Sequence, residues 1–207
     1  TKWRKLGNSL YLRLLLRTSH KPDLNSVEKI KEIVDNNPAE YPIMNSNDES
    51  AILKFISQEP YLNPFYNARD LDFNGDKGYS EFFINNLLEL GDPRLSIWAT
   101  EATLGVYGGI ESGYPKGSIP ELQSRFQLTL KGPLLPGIIM SYPELQFILA
   151  ELGERGIIQK NAIDYYNKGV QSSIEMWGAT VPVNYFDNPK VAIQQSDSQT
   201  TILKKIH

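Results

Sequence analysis

From Lys2 to Arg17 the apolar residues recur at helical spacing, with Trp3, Leu6, Leu10 and Leu14 on one stripe. Lys2, Lys5, Ser9, Arg13 and Arg17 form a narrow polar stripe beside it. Leu12, Leu15 and Leu16 extend the apolar arc most of the way round, which predicts a helix covered on two sides, with Trp3 in the core. Asn8 falls inside that arc, where an amide needs a partner, and a neighbouring backbone group is expected. A second helix is predicted over Val27 to Asp35, with Ser26 as N-cap, Val27, Ile30, Ile33 and Val34 inward, and Asn36-Asn37-Pro38 closing it. A third runs from Glu81 to Leu90, capped by Ser80 and stopped by Gly91, with Phe82, Phe83, Leu87 and Leu90 inward.

The clearest pattern lies further on. Ser141 and Glu144 have capping-box spacing ahead of a helix that ends at Arg155-Gly156, and Asn161 caps a second one reaching Trp177-Gly178. Leu149-Ala150, Ala162, Tyr166 and Gly169 alternate small and large in the phase of a tetratricopeptide-type hairpin, where Tyr166 fills the groove between the helices. Gln146, at a usual aromatic position, and Ile174, at a usual proline, depart from that repeat. A last helix begins near Thr200. The expected architecture is therefore mainly α, of tetratricopeptide-like helical hairpins: a helical scaffold over 1–35, 80–91 and 141–178, within a single domain spanning 1–207. Loop-rich regions over 36–79, 92–140 and 179–199 are long, irregular and partly β, with Ala51 to Ile56 as one short strand.

Composition removes several function classes. A net charge of -3 leaves no electrostatic footprint for nucleic acid. No apolar run is long enough to span a membrane as a helix. There is no cysteine, and the two histidines, His20 and His207, give no basis for a histidine triad or a histidine-rich metal site. Glu144, Glu151 and Glu154 are paired carboxylates of the kind that cleave glycosidic bonds, but their spacing along one amphipathic helix is that of a wet face, so no catalytic residue is assigned.

Two loop features carry candidate chemistry. Asp70, Asp72, Asn74, Asp76 and Glu81, with Gly75 at the turn, match a twelve-residue calcium loop, since a hard cation requires several oxygens converging on one point. Lys77 at the eighth position and the prolines ahead of Asp70 depart from the pattern, and the alternative is a polar turn leading to the Ser80 cap. The loops are also rich in aromatics: Tyr61, Phe65, Tyr66 and Tyr79, then Trp98, Tyr107 and Tyr114. Flat rings stack on the apolar faces of sugars while nearby polar groups bond the hydroxyls. Tyr66, Trp98, Tyr107 and Tyr114 are the candidate ligand contacts. The other reading is that such rings pin the loops to the scaffold.

The opening pattern Lys2-Trp3…Leu6…Asn8-Ser9-Leu10…Leu12-Arg13-Leu14…Arg17 resembles a helix of the SusD/RagB-like family, in its SusD-like starch-binding branch. Asp92-Pro-Arg-Leu95, Tyr107-Gly-Gly109, Tyr142 to Glu151, Gly169 to Ser173 and Trp177-Gly178 follow in the family's order. The resemblance covers nearly the whole chain. It implies an internal fragment of a lipid-anchored outer-membrane protein at the cell surface. Such a protein captures a glycan or other nutrient without catalysis and passes it to a TonB-dependent, SusC-like transporter. The alternative is a helical-repeat scaffold that binds a protein segment and no sugar.

Overall fold

In the computed structural model, which describes residues 1–75, 78–115, 117–118, 120–194 and 196–207, the elements follow in order. They are α1 (Lys2–Thr18), α2 (Ser26–Lys31), β1 (Ala51–Leu53), α3 (Glu81–Leu90), α4 (Leu95–Trp98), β2 (Gly137–Met140), α5 (Tyr142–Glu154), α6 (Ala162–Met176) and α7 (Gln199–Ile206). The fold is mainly α, as the pattern predicts. Contacts divide the chain into two compact units: Thr1–Ile52 with Ile138–Met176 and Ala192–His207, and Leu53–Gly137 with Trp177–Val191.

The first unit is the helical scaffold. Leu12 and Leu15 of α1 are buried with Ile30, Ile33, Met44, Leu145, Leu149 and Leu152. The covered face of α1 is not the predicted one. Trp3 is 82% and Leu14 58% exposed, Leu6 and Leu10 are half-buried, and Ser9, assigned to the polar stripe, is fully buried. The segment after α2 explains the rotation. The Ser9 hydroxyl accepts from the Met44 N–H at 3.1 Å and donates to the Lys5 carbonyl at 2.7 Å. The Asn8 amide donates to the Pro42 carbonyl at 2.8 Å, the backbone partner expected of it. Two short polar side chains thus let an irregular strand of backbone lie against the helix with its polar groups satisfied. Ser26 is not the N-cap of α2 either. Asn25, at φ 48°, precedes the helix, and the Ser26 hydroxyl pairs with that of Thr18 at 2.8 Å.

The hairpin of α5 and α6 forms as read. Ser141 Oγ accepts from the Glu144 N–H, Asn161 Oδ1 accepts from the Ile163 N–H, and Gly156 and Gly178 follow the two helices at positive φ. Gly169 is the contact that sets the spacing: a Cβ there would lie 2.9 Å from Cε1 of Phe147. Tyr166, buried, meets the Phe147 ring edge-on, and burial pushes its phenol up to about 12. From α7, capped by Ser198, Ile206 joins Ala150, Tyr166 and Ile193.

In the second unit, α3 is capped by Ser80 and ended by Gly91 at φ 63°. Its inward face is Ile84 and Leu87 with Phe83 half-buried. Phe82, expected inward, is 78% exposed, because the core made by Leu95, Ala99 and Trp98 lies on the side of Ile84. The loops are held by single bridges, Gly78 to Arg125, Ser80 to Ile110 and Ala99 to Phe126, rather than by long strands. β1 is three residues long, shorter than expected, and pairs with β2. Beyond it the Ile56 N–H turns to the Tyr61 carbonyl.

Candidate functional site

The second unit gathers several aromatics into one run of contacts. Phe65 meets Phe73 at 5.4 Å between centroids, Phe73 meets Phe126 at 5.8 Å, and Phe126 meets Tyr79 edge-on at 4.8 Å. Tyr79 stacks on Phe83 at 4.8 Å, and the run continues through Trp98 to Trp177. Local structure fixes the rings. The Asn63 amide donates to the carbonyls of Leu130 and Gly132, Asn74 donates to that of Phe126, and the Tyr79 hydroxyl donates to that of Trp98. Burial pushes the Tyr79 phenol up to about 12, so it stays a neutral donor at physiological pH.

At one end of this run is a cavity of about 330 Å³, walled by Phe65, Phe73, Tyr79 and Phe126 with Leu130 and Leu135. Asp72 gives its wall a polar edge and is held by Arg69 through two hydrogen bonds, at 2.6 and 2.9 Å. Such a concavity takes a ring or short chain with an apolar face, with the Asp72 carboxylate available to hydroxyls. Phe65 and Tyr79 are legible in the sequence as loop aromatics. Phe73 sits inside the acidic motif, where the oxygen pattern hides it, and nothing local marks Phe126.

Trp98 lies at the other end. It is half-buried, with the Arg94 guanidinium 5.0 Å from its ring and Trp177 edge-on at 5.2 Å. Its Nε1 is buried without a partner among the described residues. Arg94 is itself held by Asp92, whose side chain is fully buried and also accepts from the Tyr185 hydroxyl at 3.2 Å. Tyr107 packs on the same core, its phenol pushed up by burial and, less, by Glu101. Tyr66 and Tyr114 are exposed, at 43% and 39%. Of the four candidate contacts, then, Trp98 and Tyr107 share one cluster, while Tyr66 follows cavity-lining Phe65 in the chain.

Two carboxylates of the acidic loop are engaged with the protein's own cations. Asp70 pairs with Lys131 at 2.6 Å, Asp72 with Arg69, and Glu81 opens α3 in an exposed position. Asp76 lies outside the described residues. Among the described residues no group of three or more His, Cys, Asp or Glu side chains is gathered as a metal site.

A family model described as starch-binding, associating with the outer membrane, matches residues 1–207. The chain belongs to this SusD-like family. Solved structures agree: a SusD homologue from Bacteroides fragilis is 26% identical with a TM-score of 0.82, and a Bacteroides vulgatus protein assigned to the outer membrane, with a suggested part in nutrient binding, is 27% identical with a TM-score of 0.86. A chitin-binding protein is 25% identical with a TM-score of 0.72. Each alignment covers 99% of this chain and 50% of the other, so the SusD-like chain spans about half the length of these relatives. No curated protein matches it as a relative. Among the described residues no helix is long and apolar enough to cross a membrane.

Proposed function

We propose that the SusD-like chain is the ligand-holding part of a non-catalytic glycan-capture protein of the bacterial outer membrane. It binds sugar in the aromatic cavity of the second unit. The complete protein is anchored by a lipid outside this chain and delivers the glycan to a TonB-dependent transporter. The observation that carries the reading is the cavity itself, with four aromatic rings and one arginine-held carboxylate, in a family described by starch binding. Tyr66, which follows cavity-lining Phe65 in the chain, and the exposed Tyr114 remain further candidate stacking faces outside the cavity wall. Trp98 and Tyr107 hold the far end of the aromatic run.

Calorimetric titration of the protein with starch-derived and chitin-derived oligosaccharides tests this. Saturable binding is expected, with Kd of roughly micromolar to millimolar, about -8 to -4 kcal/mol. Removing one stacking ring, in Phe73→Ala, weakens it about tenfold or more. The exposed Tyr66→Ala, which leaves the fold intact, weakens it less. No reducing ends are released. Failure of every oligosaccharide to bind the wild type overturns the reading.

A further inference from the structure

We infer that the helical scaffold carries a second ligand site, a cleft between α1 and α5 that accepts a carboxylate-bearing sugar such as a uronic acid residue. The cleft has a volume of about 380 Å³ and lies wholly within the first unit. Its wall brings three guanidinium groups, those of Arg13, Arg17 and Arg155, to two carboxylates, Glu144 and Glu151. Both carboxylates are already engaged: Glu144 with Arg13 at 2.6 Å, and Glu151 with Arg155 at 2.5 Å and with His207 at 3.1 Å.

Donor capacity is left over. Arg17 has no ion-pair or hydrogen-bond partner among the described residues. Arg13 is committed: its Nη2 serves Glu144 and the Ile139 carbonyl, and its Nε is closed to solvent. The exposed Arg17 guanidinium is the fork for an incoming carboxylate. The two glutamates add acceptors for hydroxyl groups, and Leu16 and Ile148 add an apolar patch for the C–H face of a ring. The same glutamates disfavour a dianion such as phosphate, whose second charge they would oppose. A singly charged, hydroxyl-rich ring satisfies all three features of the wall. A plain carboxylate uses only one of them, and a neutral sugar leaves the spare arginine donors unpaired.

The choice of a sugar probe rests on the proposed glycan function, while the site itself does not. Trigalacturonate, its methyl ester and a glucuronate oligomer are titrated by calorimetry at low salt into wild type, Arg17→Ala and Phe73→Ala. A free uronate oligomer is expected to bind saturably, at least tenfold more tightly than the ester. Arg17→Ala, at an exposed position, weakens it at least tenfold. Phe73→Ala leaves it unchanged, and equimolar acetate does not displace it. Equal binding of acid and ester, an unaffected Arg17→Ala, displacement by acetate, or no saturation with either uronate overturns the inference. Loss of neutral-glycan binding in Phe73→Ala with no effect of Arg17→Ala removes the second site and keeps the first. The reverse pattern keeps the second and removes the first.

Discussion

Replacing Asp92 with alanine removes the anchor of the Trp98 end of the aromatic run. The carboxylate accepts from the Arg94 N–H at 2.9 Å, from Nε at 2.9 Å and from Nη2 at 2.5 Å, besides the Tyr185 hydroxyl. Its side chain is fully buried, whereas that of Arg94 keeps 18% of its surface in water. Breaking a buried pair from one side costs about 3–5 kcal/mol, because the remaining charge is stranded. Since Arg94 can recover part of its hydration, the expected loss is near the lower end, about 3 kcal/mol. The amide variant Asp92→Asn keeps an acceptor for Tyr185 and loses about half as much. The effect depends on pH with a definite sign. Burial acts to raise the Asp92 carboxyl, and the hydrogen bonds and charge of Arg94 more than offset it, leaving it below its ordinary value. Its stabilisation is therefore complete above the unfolded value, about 3.9, and fades as pH falls through the lower folded value. Urea unfolding followed by tryptophan fluorescence, at pH 7 and pH 3, measures both quantities. The gap between wild type and Asp92→Ala should be large at pH 7 and narrower at pH 3. A gap under about 0.5 kcal/mol at pH 7, or one that does not narrow, refutes the reasoning.

Two further outcomes are expected. Gly169→Ala sets about 1 kcal/mol of helix propensity against an overpacking cost of about 1–3 kcal/mol on the Phe147 ring, and so is neutral to destabilising by thermal melting. Combined with Phe147→Leu the same alanine becomes stabilising, and a stabilising Gly169→Ala in the wild-type background would show that the ring yields freely. If the acidic loop is a calcium site, the ion must displace Lys131 from Asp70 and Arg69 from Asp72, so Lys131→Ala should bind terbium or calcium more tightly than wild type. Absence of saturable binding in both proteins by terbium luminescence sets the calcium loop aside.

The sequence is most legible where one local rule decides the outcome. Ser80, Ser141, Gly91, Gly156 and Gly178 mark helix ends because capping depends on the residue itself and a few neighbours. The hairpin of α5 and α6 is legible for the same reason, since Gly169 and Tyr166 pack one helix turn apart across a short connection. The buried face of α1 is not legible in this way. The apolar arc runs most of the way round that helix, and the face to be covered is chosen by Pro42 to Met44, whose carbonyl and N–H groups reach for Asn8 and Ser9 from more than thirty positions away. Phe82 and Ile84 change places on α3 because the partner core comes from Leu95 to Ala99, after the helix has ended. The cavity lies between these cases. Its aromatic character is visible in the loops, but the meeting of Phe65, Phe73 and Phe126 depends on amide-to-carbonyl bonds from Asn63 and Asn74 that no short-range pattern announces.

The pairing of β1 with β2 has a consequence for how the segment between them tolerates changes of length. The long excursion that carries the aromatic cavity departs from β1 and returns at β2, so its two ends are hydrogen-bonded neighbours. Closing a loop whose ends already touch has an entropic cost that grows only slowly with length. Changes of length between these two strands therefore cost little in closure, so long as Asp92 and Trp98 keep the Tyr185 and Trp177 side chains they meet.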